Sequence, residues 1–114
     1  SGGMAQRVGV VRALALQPAL LLLDEPFGAV DPLLREEFQE MLGALLVERG
    51  SAAVLVTHDV QEAAVLADSV MVLSGRPAGV RAVHTIGEAR PRPASFPWSE
   101  AGAACVRKLR ASLR

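Results

Sequence analysis

The sequence predicts an α/β fold with a mostly parallel sheet flanked by helices. Short runs rich in apolar residues at 20–23, 53–57 and 70–73 have the length of strands. The first two lack polar alternation, which is typical of strands buried on both faces of a parallel sheet. Apolar residues recur at helical spacing between the runs, and the alternation of strand and helix predicts right-handed βαβ units.

Composition indicates a globular chain of one small domain or part of one. Of 114 residues, 51% are hydrophobic and 21% are charged, which is not the composition of a disordered chain. The single cysteine, Cys105, forms no internal disulfide, and this favours a reducing compartment. No apolar stretch approaches the roughly 20 residues that span a bilayer. Because the chain opens on Ser1-Gly2-Gly3, we expect a fragment of a longer sequence.

The charges are unevenly distributed. Residues 1–75 carry 4 Lys and Arg against 10 Asp and Glu, a net charge of −6, whereas residues 76–114 carry 8 against 2, a net of +6. A basic tail suits either contact with nucleic acid or anionic lipid, or a solvated surface segment. We favour the solvated segment and expect no nucleic-acid partner, because the tail has one tryptophan, Trp98, and no aromatic-basic interleaving.

Local signals bound the predicted helices. A helix from about Met4 to Leu16 follows three small residues. A second helix runs from Pro32 to about Arg49, with Asp31 as its N-cap and Gly50 as its end.

The remaining elements are shorter. A helix is predicted at 60–67, and residues 80–86 alternate as a hairpin edge would. Prolines make 90–97 a stiff extended linker before a basic helix at 99–114, so we place a boundary after residue 89.

The first apolar run ends in two carboxylates, Asp24 and Glu25. Parallel sheets bind ligands beyond the carboxyl ends of their strands. Adjacent carboxylates at such an edge are costly to bury unless a cation or a proton-transfer role compensates. Our hypothesis is that Asp24 serves a magnesium ion and Glu25 handles a proton. His58 follows the next strand and is expected at the same edge.

A small-residue triplet, Ser1-Gly2-Gly3, precedes the first helix. Small residues there leave backbone N–H groups free at the positive end of the helix dipole, which suits an anion. Alone the triplet is weak evidence. Its position one helix before the acidic strand strengthens it.

Together these segments resemble the carboxyl-terminal part of an ABC-type ATPase domain, most like importer ATPase subunits of the nitrate, sulfonate and taurine class. Four segments carry the resemblance: the signature motif at Ser1–Arg7, the Walker B strand at Leu20–Glu25, the D-loop at Gly28–Asp31 and the switch histidine at Val56–Asp59. It implies a partial P-loop NTPase fold over residues 1–89, followed by the linker and basic helix of residues 90–114.

The resemblance implies a role for each site residue. Asp24 would hold Mg²⁺ through water, Glu25 would polarise the water that attacks the γ-phosphate, and His58 would contact that phosphate.

Further roles act across a head-to-tail dimer with a second ATPase subunit. Ser1, Gly2 and Gly3 would bind ATP held by the opposite subunit, and Asp31 would couple the two sites. Met4 stands where many members have Gln, which removes one donor to phosphate.

The resemblance also implies a cellular location and a set of partners. The protein would be an ATPase motor on the inner face of the cell membrane, in the cytoplasm, with permease subunits and indirectly a solute-binding protein. The 114 residues contain no G-x-x-x-x-G-K-S/T loop, so we expect this chain alone to be inactive and to bind ATP weakly. Two alternatives stay open: a non-transport ABC ATPase of DNA repair or translation, and a binding module without catalysis.

Overall fold

A computed structural model describes residues 2–113, and the chain divides into two compact units, one ending at His58 and the other beginning at Asp59. The first unit contains, in order, α1 (Gly2–Ala15), β1 (Leu20–Asp24), α2 (Pro32–Arg49) and β2 (Ala52–Val56). The second contains α3 (Val60–Leu66), β3 (Ser69–Ser74), β4 (Gly79–Thr85), a 3₁₀ turn (Phe96–Trp98) and α4 (Glu100–Ser112). Within residues 2–113, no helix has the length and apolar character of a membrane span.

In the first unit, β1 and β2 form a two-stranded parallel sheet. Their register pairs Leu20 with Ala52 and continues to Asp24 opposite Val56. The expectation that β1 is buried on both faces is wrong. Leu21 and Leu23 are buried, but Leu22 on the other face is 71% exposed. Among the described residues, only one face of this strand is covered, so the side chains alternate between core and solvent.

The core of this unit lies between helices and sheet. Its buried side chains are Val10, Leu14, Leu21, Leu23, Phe27, Val30, Phe38, Leu42 and Leu46. The rings of Phe27 and Phe38 meet edge to face with centroids 5.0 Å apart, a favoured aromatic geometry.

The predicted ends of α2 are confirmed. The Asp31 side chain accepts a hydrogen bond from the Leu33 N–H group, and Gly50 closes the helix with a φ of 64°.

In the second unit, β3 and β4 form an antiparallel hairpin. We expected β3 to join the parallel sheet, but among the described residues it pairs with β4 instead. The short turn at residues 75–78 joins the two strands, and a turn of this length allows only an antiparallel pair. Ala63 of α3, Val72 of β3 and Leu109 of α4 form a buried cluster beside this hairpin.

The interpretation of the basic tail as a solvated segment holds for most of its charges, because Arg76, Arg81, Arg107, Lys108 and Arg110 are exposed. It is wrong for Arg92, which is buried and only 4% exposed. Its guanidinium donates to the carbonyls of Ala64 (3.0 Å) and Ala67 (2.8 Å) at the end of α3, where a helix leaves acceptors unsatisfied. Burial lowers the pKa of Arg92 below its ordinary value. The guanidinium also lies 5.5 Å from the centre of the Phe96 ring.

Gly102 allows α4 to contact the 3₁₀ turn closely. A Cβ at this position would overlap the carbonyl oxygen of Phe96 and would lie 3.0 Å from the Cα of Pro97. Gly9, inside α1, has no neighbouring atom within 4 Å of an added Cβ.

We predict opposite effects for the same substitution at these two glycines. Gly9→Ala should raise the free energy of unfolding by about 0.5–1 kcal/mol, because alanine loses less backbone entropy in a helix. Gly102→Ala should lower it by about 1–3 kcal/mol, because the methyl group forces the backbone apart. Urea denaturation of both variants measures the difference. Equal stabilisation by both would contradict the close contact at Gly102.

Candidate functional site

Glu25, the first residue after β1, has an unusual backbone conformation. Its φ of 44° lies in the left-handed region, which disfavours a non-glycine residue by roughly 1–2 kcal/mol. Hydrogen bonds offset this strain: its N–H group donates to Val56 (2.8 Å) and its carbonyl accepts from Gly28 (3.1 Å). Strain of this kind, held in place by neighbouring structure, is typical of functional positions.

The side chain of Glu25 meets His58. Glu25 Oε1 lies 3.1 Å from His58 Nδ1, and the two side chains are 51% and 86% exposed, respectively. Because β1 and β2 are parallel, the residues that follow them reach the same edge of the sheet. An exposed pair contributes only about 0–1 kcal/mol to stability. The contact therefore adds little to stability and leaves both groups accessible to a ligand.

Asp24 ends β1 directly beside Glu25, and its side chain is exposed. Within residues 2–113, no cluster of three or more His, Cys, Asp or Glu side chains could enclose a metal ion. The exposed carboxylate of Asp24 is a type of ligand that Mg²⁺ accepts, since this ion takes one or two protein carboxylates and keeps several waters.

The first turn of α1 lies against the loop that follows Glu25. A Cβ on Gly3 would lie 3.0 Å from the Ala29 carbonyl oxygen, and one on Gly2 would lie 3.6 Å from the Ala29 Cβ. Gly3 therefore permits a close approach that a larger residue would disturb. Ser1, the third residue of the predicted anion site, lies outside the described residues.

Asp31 has a structural contact of its own. Its Oδ1 atom accepts a hydrogen bond of 2.9 Å from the Leu33 N–H group, so the residue serves as the N-cap of α2. Its side chain is not in contact with Glu25 or His58 among the hydrogen bonds and ion pairs of the described residues.

Sequence reasoning missed Gln6. Its side-chain amide donates from Nε2 to the Glu25 carbonyl (3.1 Å) and accepts at Oε1 from the Ala29 N–H group (3.3 Å). One signal was available: Gln6 lies three residues after Gly3, and residues at this spacing share a helix face.

Comparison with known proteins identifies the class. A family model described as "ABC transporter" matches residues 1–28, a span that contains α1, β1 and Glu25. Curated proteins named as import ATP-binding proteins match most of the chain at about half identity. The chain is therefore homologous to the ATP-binding proteins of ABC transporters.

Three of the relatives that match this chain illustrate the similarity. The nitrate import ATP-binding protein NrtC of Synechococcus elongatus is 50% identical over 81% of this chain and 14% of its own length. The taurine import ATP-binding protein TauB of Yersinia pestis is 52% identical over 70% of this chain and 31% of its own length. The aliphatic sulfonates import ATP-binding protein SsuB 1 of Streptomyces avermitilis is 52% identical over 85% of this chain and 36% of its own length. The chain thus spans about a third or less of each relative.

We predict that Asp31 stabilises the protein by capping α2 and not by its negative charge. Asp31→Ala should lower the free energy of unfolding by about 1 kcal/mol, because the Leu33 N–H group loses its acceptor. Asp31→Asn is the matched control and should stay close to the wild type, since asparagine caps equally well. Urea denaturation of the two variants is the measurement. A loss of similar size in Asp31→Asn would show that the charge, not the cap, carries the effect.

Proposed function

We propose that the protein is an ATP-hydrolysing motor subunit of an ABC importer for nitrate, sulfonate, taurine or a similar small solute. One observation carries the proposal: a carboxylate and an imidazole meet 3.1 Å apart at the edge of a parallel sheet, in a chain about half identical to import ATP-binding proteins. The relatives' names favour transport over the DNA-repair or translation alternative. Residues 1–89 would form part of the ATPase domain.

In this proposal, Glu25 orients the attacking water and accepts its proton. His58, whose Nδ1 lies 3.1 Å from Glu25 Oε1, turns its other ring nitrogen, Nε2, towards an oxygen of the γ-phosphate and stabilises the charge that develops there. Asp24 would hold Mg²⁺ through water, and the ion would neutralise charge on the phosphates. The exposure of both side chains of the Glu25–His58 pair supports this assignment, because a nucleotide must reach them.

The partners follow from the same proposal. Gly2 and Gly3, together with Ser1, would bind ATP held by a second ATPase subunit in a head-to-tail dimer, and Asp31 would couple the two sites. The dimer would lie in the cytoplasm on the inner face of the membrane, bound to permease subunits that receive solute from a binding protein.

We predict that Glu25→Gln in the full-length gene product stops hydrolysis but not nucleotide binding. Turnover should fall by about 10²–10⁴-fold, the usual contribution of a general base. Glu37→Gln, the same change at an exposed position of α2, is the control and should keep full turnover. Phosphate release measures the rate, and equilibrium binding of ATP measures occupancy. Undiminished turnover in Glu25→Gln would refute the assigned role.

A further inference from the structure

We propose that Gln6 is a positioning residue that holds Glu25 in its active orientation; this rests on the proposed function of Glu25. The Gln6 side chain is half-buried and extends from the first turns of α1 to the loop after β1. Its Nε2 atom donates to the Glu25 carbonyl (3.1 Å), and its Oε1 atom accepts the Ala29 N–H group (3.3 Å). A single side chain therefore connects the residue proposed as the base to the loop that follows it.

The first step of the argument is the backbone of Glu25. A left-handed residue that is not glycine needs support from its surroundings. The Val56 carbonyl and the Gly28 N–H group supply two hydrogen bonds from backbone atoms, which no side-chain substitution removes. Gln6 supplies the third bond, and this one comes from a side chain on a different element. It is thus the bond through which α1 acts on the orientation of Glu25.

The second step is the Ala29 N–H group. Two successive turns shape this loop, one closed by Gly28 bonding back to Glu25 and one closed by Val30 bonding back to Phe27. Ala29 lies inside the second turn, and its N–H group is accepted by Gln6. Gly3, one helical turn earlier, lets the helix come close enough for this contact. Gln6 of α1 is therefore hydrogen-bonded to both turns, to the first through the Glu25 carbonyl and to the second through the Ala29 N–H group.

The third step is the chemistry of the side chain. The site requires a donor facing a carbonyl and an acceptor facing an N–H group on one short head group, and a primary amide offers both. Glutamate keeps the acceptor for Ala29 but removes the donor and sets its charge near the Glu25 carbonyl. Methionine has similar length and neither strong group. These two variants separate the bond to Glu25 from the bond to Ala29.

The first measurement is amide hydrogen exchange by NMR on the 114-residue chain. In Gln6→Met, exchange at Ala29 should rise by about tenfold, the expected effect of losing one ordinary hydrogen bond. Exchange at Glu25, whose N–H group is bonded to the Val56 carbonyl, should change less. In Gln6→Glu, Ala29 should keep its protection. Gln61→Met, the same substitution on α3, is the matched control and should leave Ala29 unchanged. Equal exchange at Ala29 in Gln6→Met and the wild type would overturn the bridge.

The second measurement is ATP hydrolysis by the full-length gene product. Both Gln6→Met and Gln6→Glu should lower kcat by up to about a hundredfold, because a misplaced catalytic group loses this much. KM for ATP should change little, since Gln6 contacts the protein and not the nucleotide in this proposal. A purely structural role would instead lower thermal stability and leave kcat per folded molecule intact.

The outcomes separate this inference from the proposed function. If Glu25→Gln is inactive while both Gln6 variants keep the wild-type kcat, the positioning role is wrong and the assignment of Glu25 stands. If Glu25→Gln retains full turnover, the proposed function fails, while the exchange experiment still reports whether Gln6 bridges Glu25 and Ala29.

Discussion

The parallel pairing of β1 with β2 is the constraint on which the site depends. The register runs from Leu20 opposite Ala52 to Asp24 opposite Val56, and the Glu25 N–H group extends it by one more bond to the Val56 carbonyl. Because successive side chains of a strand point to opposite faces, a slip of one residue would reverse every side chain. The meeting of Glu25 and His58 is therefore a consequence of strand register.

The site is supported by backbone geometry rather than by burial. The Glu25–His58 pair is largely exposed, so it gains little from a low dielectric. Instead, Glu25 occupies a strained left-handed conformation that three hydrogen bonds hold, two from the backbone and one from Gln6. The close contact of Gly3 with Ala29 places α1 within reach. These features give a preorganised carboxylate that solvent and a ligand can both approach.

The sequence predicts those parts of the fold that depend on local signals. The ends of α2 follow from Asp31, Pro32 and Gly50, each of which acts on its immediate neighbours. The approach of Glu25 to His58 follows from one further rule, that parallel strands end at the same edge. The partner of β3 and the exposed face of β1 could not be predicted in this way, because both depend on which distant segments pack there. The roles of Arg92 and Gln6 were missed for the same reason. The α3 carbonyls of Ala64 and Ala67 lie 28 and 25 residues from Arg92, and the Glu25 carbonyl lies 19 residues from Gln6.

The most direct test of the account is an NMR measurement of scalar couplings across hydrogen bonds in the isotope-labelled chain. Such a coupling identifies the donor nitrogen and the acceptor carbonyl of one bond. The account predicts a correlation between the Glu25 amide nitrogen and the Val56 carbonyl carbon, the bond of 2.8 Å that completes the register. A correlation from Glu25 to the carbonyl of Leu55 or Thr57 instead would mean a different register, and the arrangement of Glu25 and His58 described above would then be wrong.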